Sequence, residues 1–174
     1  DAVYQALMQH TDWQTGRVIV CNSDNLYSVN ALKTLWNSPE PNALISYHRD
    51  SLLYPAERIS AFALIRTDAE GYLLEIIEKP TAEQAAELMA KIGRLGVSMN
   101  VFVFEASTFL PYLAKTPFHP VRNEKELPTS VVMFGEGEGK GFYAIPLAEN
   151  VPDLTSKEDI LVMQKYLEDT YGDF

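Results

Sequence analysis

One cysteine, Cys21, stands among 174 residues, so no internal disulfide framework holds this chain together. Its place inside an apolar run reads as a small core side chain. No apolar run approaches the roughly 18 residues that cross a bilayer. Basic residues are the scarcer charge, 14 against 24 acidic ones, and the net charge is −10. The basic face that binding to nucleic acid or anionic lipid requires is therefore not expected. A small anion stays open, because it needs only one or two local cations or a bound metal. His10, His48 and His119 show no metal-ligand spacing. No Ser or Cys sits in a nucleophile-elbow context. The tract GEGEGKG, residues 135–141, lacks phosphate-loop spacing, and Glu136 and Glu138 would repel phosphate. It reads as a mobile surface loop. With no basic-and-apolar leader and no lipidation box in the sequence as given, these absences predict a soluble, cytoplasmic domain.

What is present is an ordinary globular composition, 47% apolar, in a length suited to one domain that buries about 70% of its unfolded surface. Helix-like and strand-like apolar spacings alternate along it. Val3, Ala6, Leu7 and His10 fall on a helical spacing, and strand 17–22 follows. A helix over 28–36 is capped by Ser28, with Val29, Leu32, Leu35 and Trp36 inward. Residues 43–48 form a second buried strand. The stretch 59–78 reads as two strands joined by a turn that Asp68 opens and Gly71 closes. Pro80 ends that hairpin, and 82–92 is a plain helix. Strand 97–105, a helix around Pro111, a loop at 117–125 and a helix at 126–134 come next. Strand 142–147 precedes a closing helix with a Thr155–Glu158 capping box. Near-continuous apolar strands alternating with helices predict an α/β fold, a mainly parallel Rossmann-like sheet with helices on both faces and one antiparallel hairpin. Aromatics such as Phe102, Phe104, Phe109 and Tyr112 read as core.

Three strand ends carry polar groups, where ligands of open α/β sheets sit. RVIVCNSDN drives a β-branched strand onto Asp24, either an ordinary turn that caps the next helix or a carboxylate offered to a metal. IIEKP ends a strand on Glu78 and Lys79, either a solvated ion pair or a sugar-hydroxyl acceptor beside a phosphate-binding charge. ENVPDLTSKED places Asp153 in another turn after a strand, again either a turn residue or a second carboxylate for the same metal.

These blocks stand in a fixed order: VIVCNSDNLYS, ISAFALIRTDAEGYLLEIIEKP, GVSMNVFVFEASTFLPYL, then ELPTSVVMFGEGEGKGFYAIPLAENVPDLTSKEDILVM. The order resembles the sugar-phosphate nucleotidyltransferase family along the whole length. That resemblance implies a transferase of nucleotide-sugar biosynthesis, whose small-molecule substrates are an NTP and a sugar 1-phosphate or related phosphorylated alcohol. It implies Mg²⁺ held by Asp24 and Asp153, a sugar held by Glu78, its phosphate by Lys79, and Asn100 near the sugar. Asp24 and Lys79 would carry the catalysis.

Two departures accompany the resemblance. Ala63 stands where members carry a glycine, which implies an altered sugar pocket. The glycine-rich loop with Arg and Lys that cradles the triphosphate is absent. Residues 1–174 then read as one domain, the acceptor- and metal-binding part, inactive by itself, and its uncovered sheet edge predicts a homo-oligomer or a further N-terminal piece. A non-catalytic sugar-phosphate or nucleotide-binding regulatory domain of the same fold, a glycosyltransferase of a neighbouring fold, and a metal-free structural domain remain as alternatives.

Overall fold

Six apolar runs become six strands of one sheet in the computed structural model, which describes residues 1–172. The last two residues of the expected 1–174 domain lie outside that range. In chain order the elements are α1 (Ala2–Gln9), β1 (Arg17–Cys21), α2 (Val29–Trp36), β2 (Ala43–His48), α3 (Ala56–Ser60), β3 (Leu64–Thr67) and β4 (Leu73–Ile77). There follow α4 (Ala82–Ile92), β5 (Gly96–Glu105), α5 (Ala106–Lys115), α6 (Leu127–Glu138), β6 (Tyr143–Leu147) and α7 (Asp159–Tyr171).

The long strand β5 is the axis. One of its edges pairs with β2, and β2 in turn with β6. Its other edge is shared: β1 pairs with Val101–Glu105, and β3 meets it at Val97, with β4 outside β3. Among the described residues only β2 and β6 run parallel, so the sheet is mixed rather than mainly parallel. The α/β architecture stands, but the expected strand direction does not. Continuous apolar strands report that both faces are covered, and carry no information on which way a neighbour runs. Both faces are indeed covered. Val97, Met99, Val101 and Val103 pack with α2 and α4 on one side, while Phe102 and Phe104 pack with α1, α5 and α6 on the other. Phe102, Phe104 and Phe109 are core residues, and Tyr112 packs beside them.

Local chemistry explains the element ends. Ser28 Oγ accepts from Ala31 N (2.9 Å), as a helix N-cap should. The Arg17 guanidinium donates to the carbonyls of Leu35, Trp36, Ser38 and Glu40, satisfying the orphan acceptors at the end of α2. The buried stripe of α2 is Ala31 and Leu35, with Leu32 at its side; Val29 and Trp36 face outward, against expectation. In the hairpin, Asp68 Oδ1 accepts from Glu70 N and Tyr72 N, and Gly71 takes φ +94°. The expected first strand of that hairpin starts later, because residues 56–60 coil into α3.

Three other expectations are corrected. Cys21 is exposed, at the open end of an edge strand. The Thr155–Glu158 box does not form: Thr155 Oγ1 donates to Asp153, and Ser156 N donates to Asp159 instead. The glycine tract is not all loop, since residues 135–138 are helical although 136–140 remain on the surface. It completes α6, Gly139 closes that helix at φ +73°, and a Cβ on Gly141 would lie 2.4 Å from the Leu73 carbonyl oxygen.

Candidate active site

A gap in the sheet creates the site. Strand β1 leaves the edge of β5 after Cys21, opposite Val101, and β3 takes over that edge at Val97. Between them β5 bulges, as the register shift between Leu44 and Ser46 records, and Asn100 there adopts φ +54°. The strand-end turn is tied to this bulge by Tyr27, whose hydroxyl donates to Met99 O (2.5 Å) and lies 3.2 Å from Asn25 Oδ1. Burial pushes the Tyr27 phenol well above its ordinary range, so it stays a donor.

Asn22, Glu78 and Asn100 line one cleft of about 270 Å³ at the gap, together with Arg122 and Lys125 from the 117–125 loop. Two of the residues expected at a sugar, Glu78 and Asn100, are thus brought together. Lys79 follows Glu78 on an exposed bend at φ +47°, beside the cleft but outside its lining. The positive-φ residues other than glycine among those described are Lys79, Asn100 and Asn123. All three lie on or next to segments that form the cleft. Left-handed backbone at a lysine costs of order 1 kcal/mol or more and persists only where the surroundings hold it.

Asp24 and Asp153 are also brought together, by backbone. Asn25 and Asp153 form an antiparallel bridge, Leu26 N donates to Pro152 O (2.8 Å), and Leu154 N donates to Asp24 O (2.7 Å). The carboxylates differ. Asp24 is exposed, and its carboxylate accepts from no described residue. Asp153 accepts from Arg58 Nη2 (2.8 Å) and Thr155 Oγ1 (2.7 Å), one donor on each oxygen. Arg58 Nη1 reaches Asp159 at 2.8 Å, and its guanidinium lies 4.9 Å from the Tyr54 ring centroid. The Arg58 hydrogen bond, then the Ser156 backbone N–H, hold the Asp159 carboxyl down at about 2. The strap makes the two backbones adjacent, and among the described residues no group of three or more His, Cys, Asp or Glu gathers to hold a metal ion by protein ligands alone, so a hard divalent cation at this pair would need water or phosphate oxygens to complete its shell. The guanidinium on Asp153 marks the place as one where positive charge is favoured.

Arg58, Asn22, Arg122 and Lys125 were not singled out from sequence. Arg58 sits in an unremarkable apolar stretch, and only the fold turns it toward Asp153. Arg122 and Lys125 carried no cation signal, because Glu124 and Glu126 alternate with them in R-N-E-K-E, and both acids also line the cleft. The two cations are engaged here, Arg122 with Glu126 (2.5 Å) and Lys125 with Ala114 O (2.8 Å).

Comparison with known proteins bears on this site. Residues 1–132 match the family model described as nucleotidyl transferase. A glucose-1-phosphate adenylyltransferase of Anaeromyxobacter dehalogenans is 24% identical over 167 residues, covering 91% of this chain and 37% of the relative. The chloroplastic/amyloplastic small subunit of the wheat (Triticum aestivum) enzyme of that name is 28% identical over 125 residues, covering 65% and 26%. A Bacillus anthracis structure described as a glucose-1-phosphate thymidylyltransferase, in complex with a sucrose, superposes with a TM-score of 0.63 at 14% identity. It covers 98% of this chain and 62% of its own, and shares the fold. The chain spans 26% and 37% of the lengths of these two curated relatives.

Proposed function

The chain belongs to the nucleotidyl transferase family, and from that premise we propose that it forms the acceptor- and metal-binding part of a sugar-phosphate nucleotidyltransferase. The reaction is transfer of a nucleotidyl group from an NTP to a sugar 1-phosphate or related phosphorylated alcohol, forming the NDP-sugar and pyrophosphate. One observation carries the reading: Asp24 and Asp153, remote in sequence, are strapped together at the strand end whose Asn22 lines the Glu78–Asn100 cleft.

No protein nucleophile is needed, because the acceptor's phosphate oxygen is already anionic and attacks the α-phosphorus in line, expelling pyrophosphate. The residues contribute position and charge. Glu78 accepts from sugar hydroxyls, Asn100 offers an amide on the same side, and Lys79 neutralises and aims the acceptor phosphate. Asp24 and Asp153 would hold Mg²⁺, which when bound supplies charge neutralisation between the reacting phosphates. Glu78 stays acceptor-only when ionised, so it selects among hydroxyls and does not repel them.

The test follows pyrophosphate release from the complete protein and from residues 1–174, each with a panel of triphosphates and hexose 1-phosphates. Turnover by the complete protein alone is expected. Turnover by residues 1–174 would place the nucleotide site within them, and none by either would remove the reaction. A second reading, a sugar-phosphate or nucleotide-binding regulatory domain, is favoured by the engagement of both Asp153 oxygens. Ligand binding without pyrophosphate release by the complete protein would select it.

A further inference from the structure

We propose that Arg58 is a tethered stand-in for the metal: it neutralises Asp153 while no divalent cation is bound, and withdraws onto Asp159 when one binds. This rests on the metal role proposed for Asp24 and Asp153. The guanidinium is a fork with one prong on each carboxylate, Nη2 on Asp153 and Nη1 on Asp159, both at 2.8 Å. All three side chains are largely shielded, with 29%, 12% and 15% of their surface exposed for Arg58, Asp153 and Asp159. Their interactions are therefore screened less than those of a surface pair.

The two carboxylates are not equivalent seats. Asp159 is oriented without help from Asp153, since its other oxygen accepts from Ser156 N (2.8 Å) and Ser156 Oγ (3.0 Å). Arg58 is also steadied by the Tyr54 ring, and the Tyr54 hydroxyl donates to Val151 O. Release of Asp153 thus leaves Arg58 paired, stacked and in place. Asp153 is the movable partner: its backbone is fixed by the strap to Asp24 and Leu26, so turning its carboxylate requires side-chain rotation, which gives up the Arg58 and Thr155 Oγ1 hydrogen bonds. A guanidinium and a divalent cation compete for the same oxygen, and Asp159 is the seat that lets Arg58 yield. Because Asp159 begins α7, the exchange also links metal occupancy to the first turn of that helix.

The experiment measures Mn²⁺ binding to the full-length protein by loss of the free-ion electron paramagnetic resonance signal, without substrates. Arg58→Gln removes the competitor and is expected to tighten Mn²⁺ binding roughly threefold to tenfold. Asp159→Asn removes the alternative seat and is expected to weaken it severalfold. The double variant should behave as Arg58→Gln does, since Asp159 acts through Arg58. A merely structural Arg58 would move both single variants in the same direction. No tightening in Arg58→Gln, or a double variant that follows Asp159→Asn, overturns the proposal. Should Arg58→Gln fail to fold, Arg58→Lys keeps the charge but loses the two-pronged fork. It is expected to tighten binding less, and no tightening overturns the idea equally. Asp153→Asn separates this proposal from its premise. If it abolishes Mn²⁺ binding while Arg58→Gln leaves affinity unchanged, the exchange fails and the metal site stands. If it leaves Mn²⁺ binding intact, both fall.

Discussion

Lys79 and Glu78 are adjacent, exposed and opposite in charge, yet their proposed tasks differ, so their substitutions should fail differently. Lys79→Met removes a charge-assisted contact worth roughly 1.5–3 kcal/mol, a tenfold to hundredfold fall in kcat/KM for every acceptor. Glu78→Gln keeps one acceptor oxygen and should alter the ranking of acceptor sugars. Steady-state kinetics of the complete protein over an acceptor panel checks both, and unchanged kinetics in both would move the acceptor site elsewhere. A solvated surface pair would instead cost at most about 1 kcal/mol of stability and nothing in catalysis. Asp159 gives a pH prediction. Its carboxyl is held down to about 2 by Arg58, so the ion pair's stabilisation is complete above the ordinary aspartate range, near 4, and is lost as pH falls toward 2. Unfolding midpoints of wild type and Asp159→Asn should differ at neutral pH and converge as the pH approaches 2.

At the scale of elements, α2 connects the site to the core. Ser28 caps it and also donates to Glu149 (2.5 Å), so Ser28→Ala should cost about 1 kcal/mol and lower Tm by roughly 2–4 °C. Leu35→Ala should cost about 2–5 kcal/mol, whereas Val29→Ala, on the exposed side, should stay within about 0.5. Thermal melts separate the three. That contrast also marks what sequence conveys. Period and capping residues located most helices and strands but not α3, since Ser28, Asp68 and Gly71 act through neighbours only a few positions away. The sequence spacing placed Val29, Leu32, Leu35 and Trp36 inward; packing against β1 and β2 keeps Leu35 buried, adds Ala31 and leaves Val29 and Trp36 outside. Strand direction was illegible because burial is the same for either sense. Asp24, Glu78 and Asp153 were legible as strand-end polar groups, whereas Asn100, inside β5, was singled out only through the ordered set of blocks. The bulge that aims Asn100, and the ion pair from Arg58, depend on register and tertiary approach, which leave no local trace.

For the whole molecule, β1 pairs with β5 on one side and with no described strand on the other. An unpaired edge of this kind invites another chain. Residues 1–174 prepared alone should therefore self-associate, and a stable monomer of 19.6 kDa in light scattering would count against that. No described helix is long and apolar enough to cross a membrane. In the proposed function the strands bring Asp24 and Asp153 together to hold a metal for nucleotidyl transfer, and not merely to shape turns. Asparagine discriminates, because it caps a turn about as well as aspartate but lacks the charge Mg²⁺ requires. The decisive measurement is pyrophosphate release by the complete protein carrying Asp24→Asn or Asp153→Asn, with the fold verified by circular dichroism. Loss of most activity in each folded variant is the predicted result, and activity within a fewfold of wild type would contradict it.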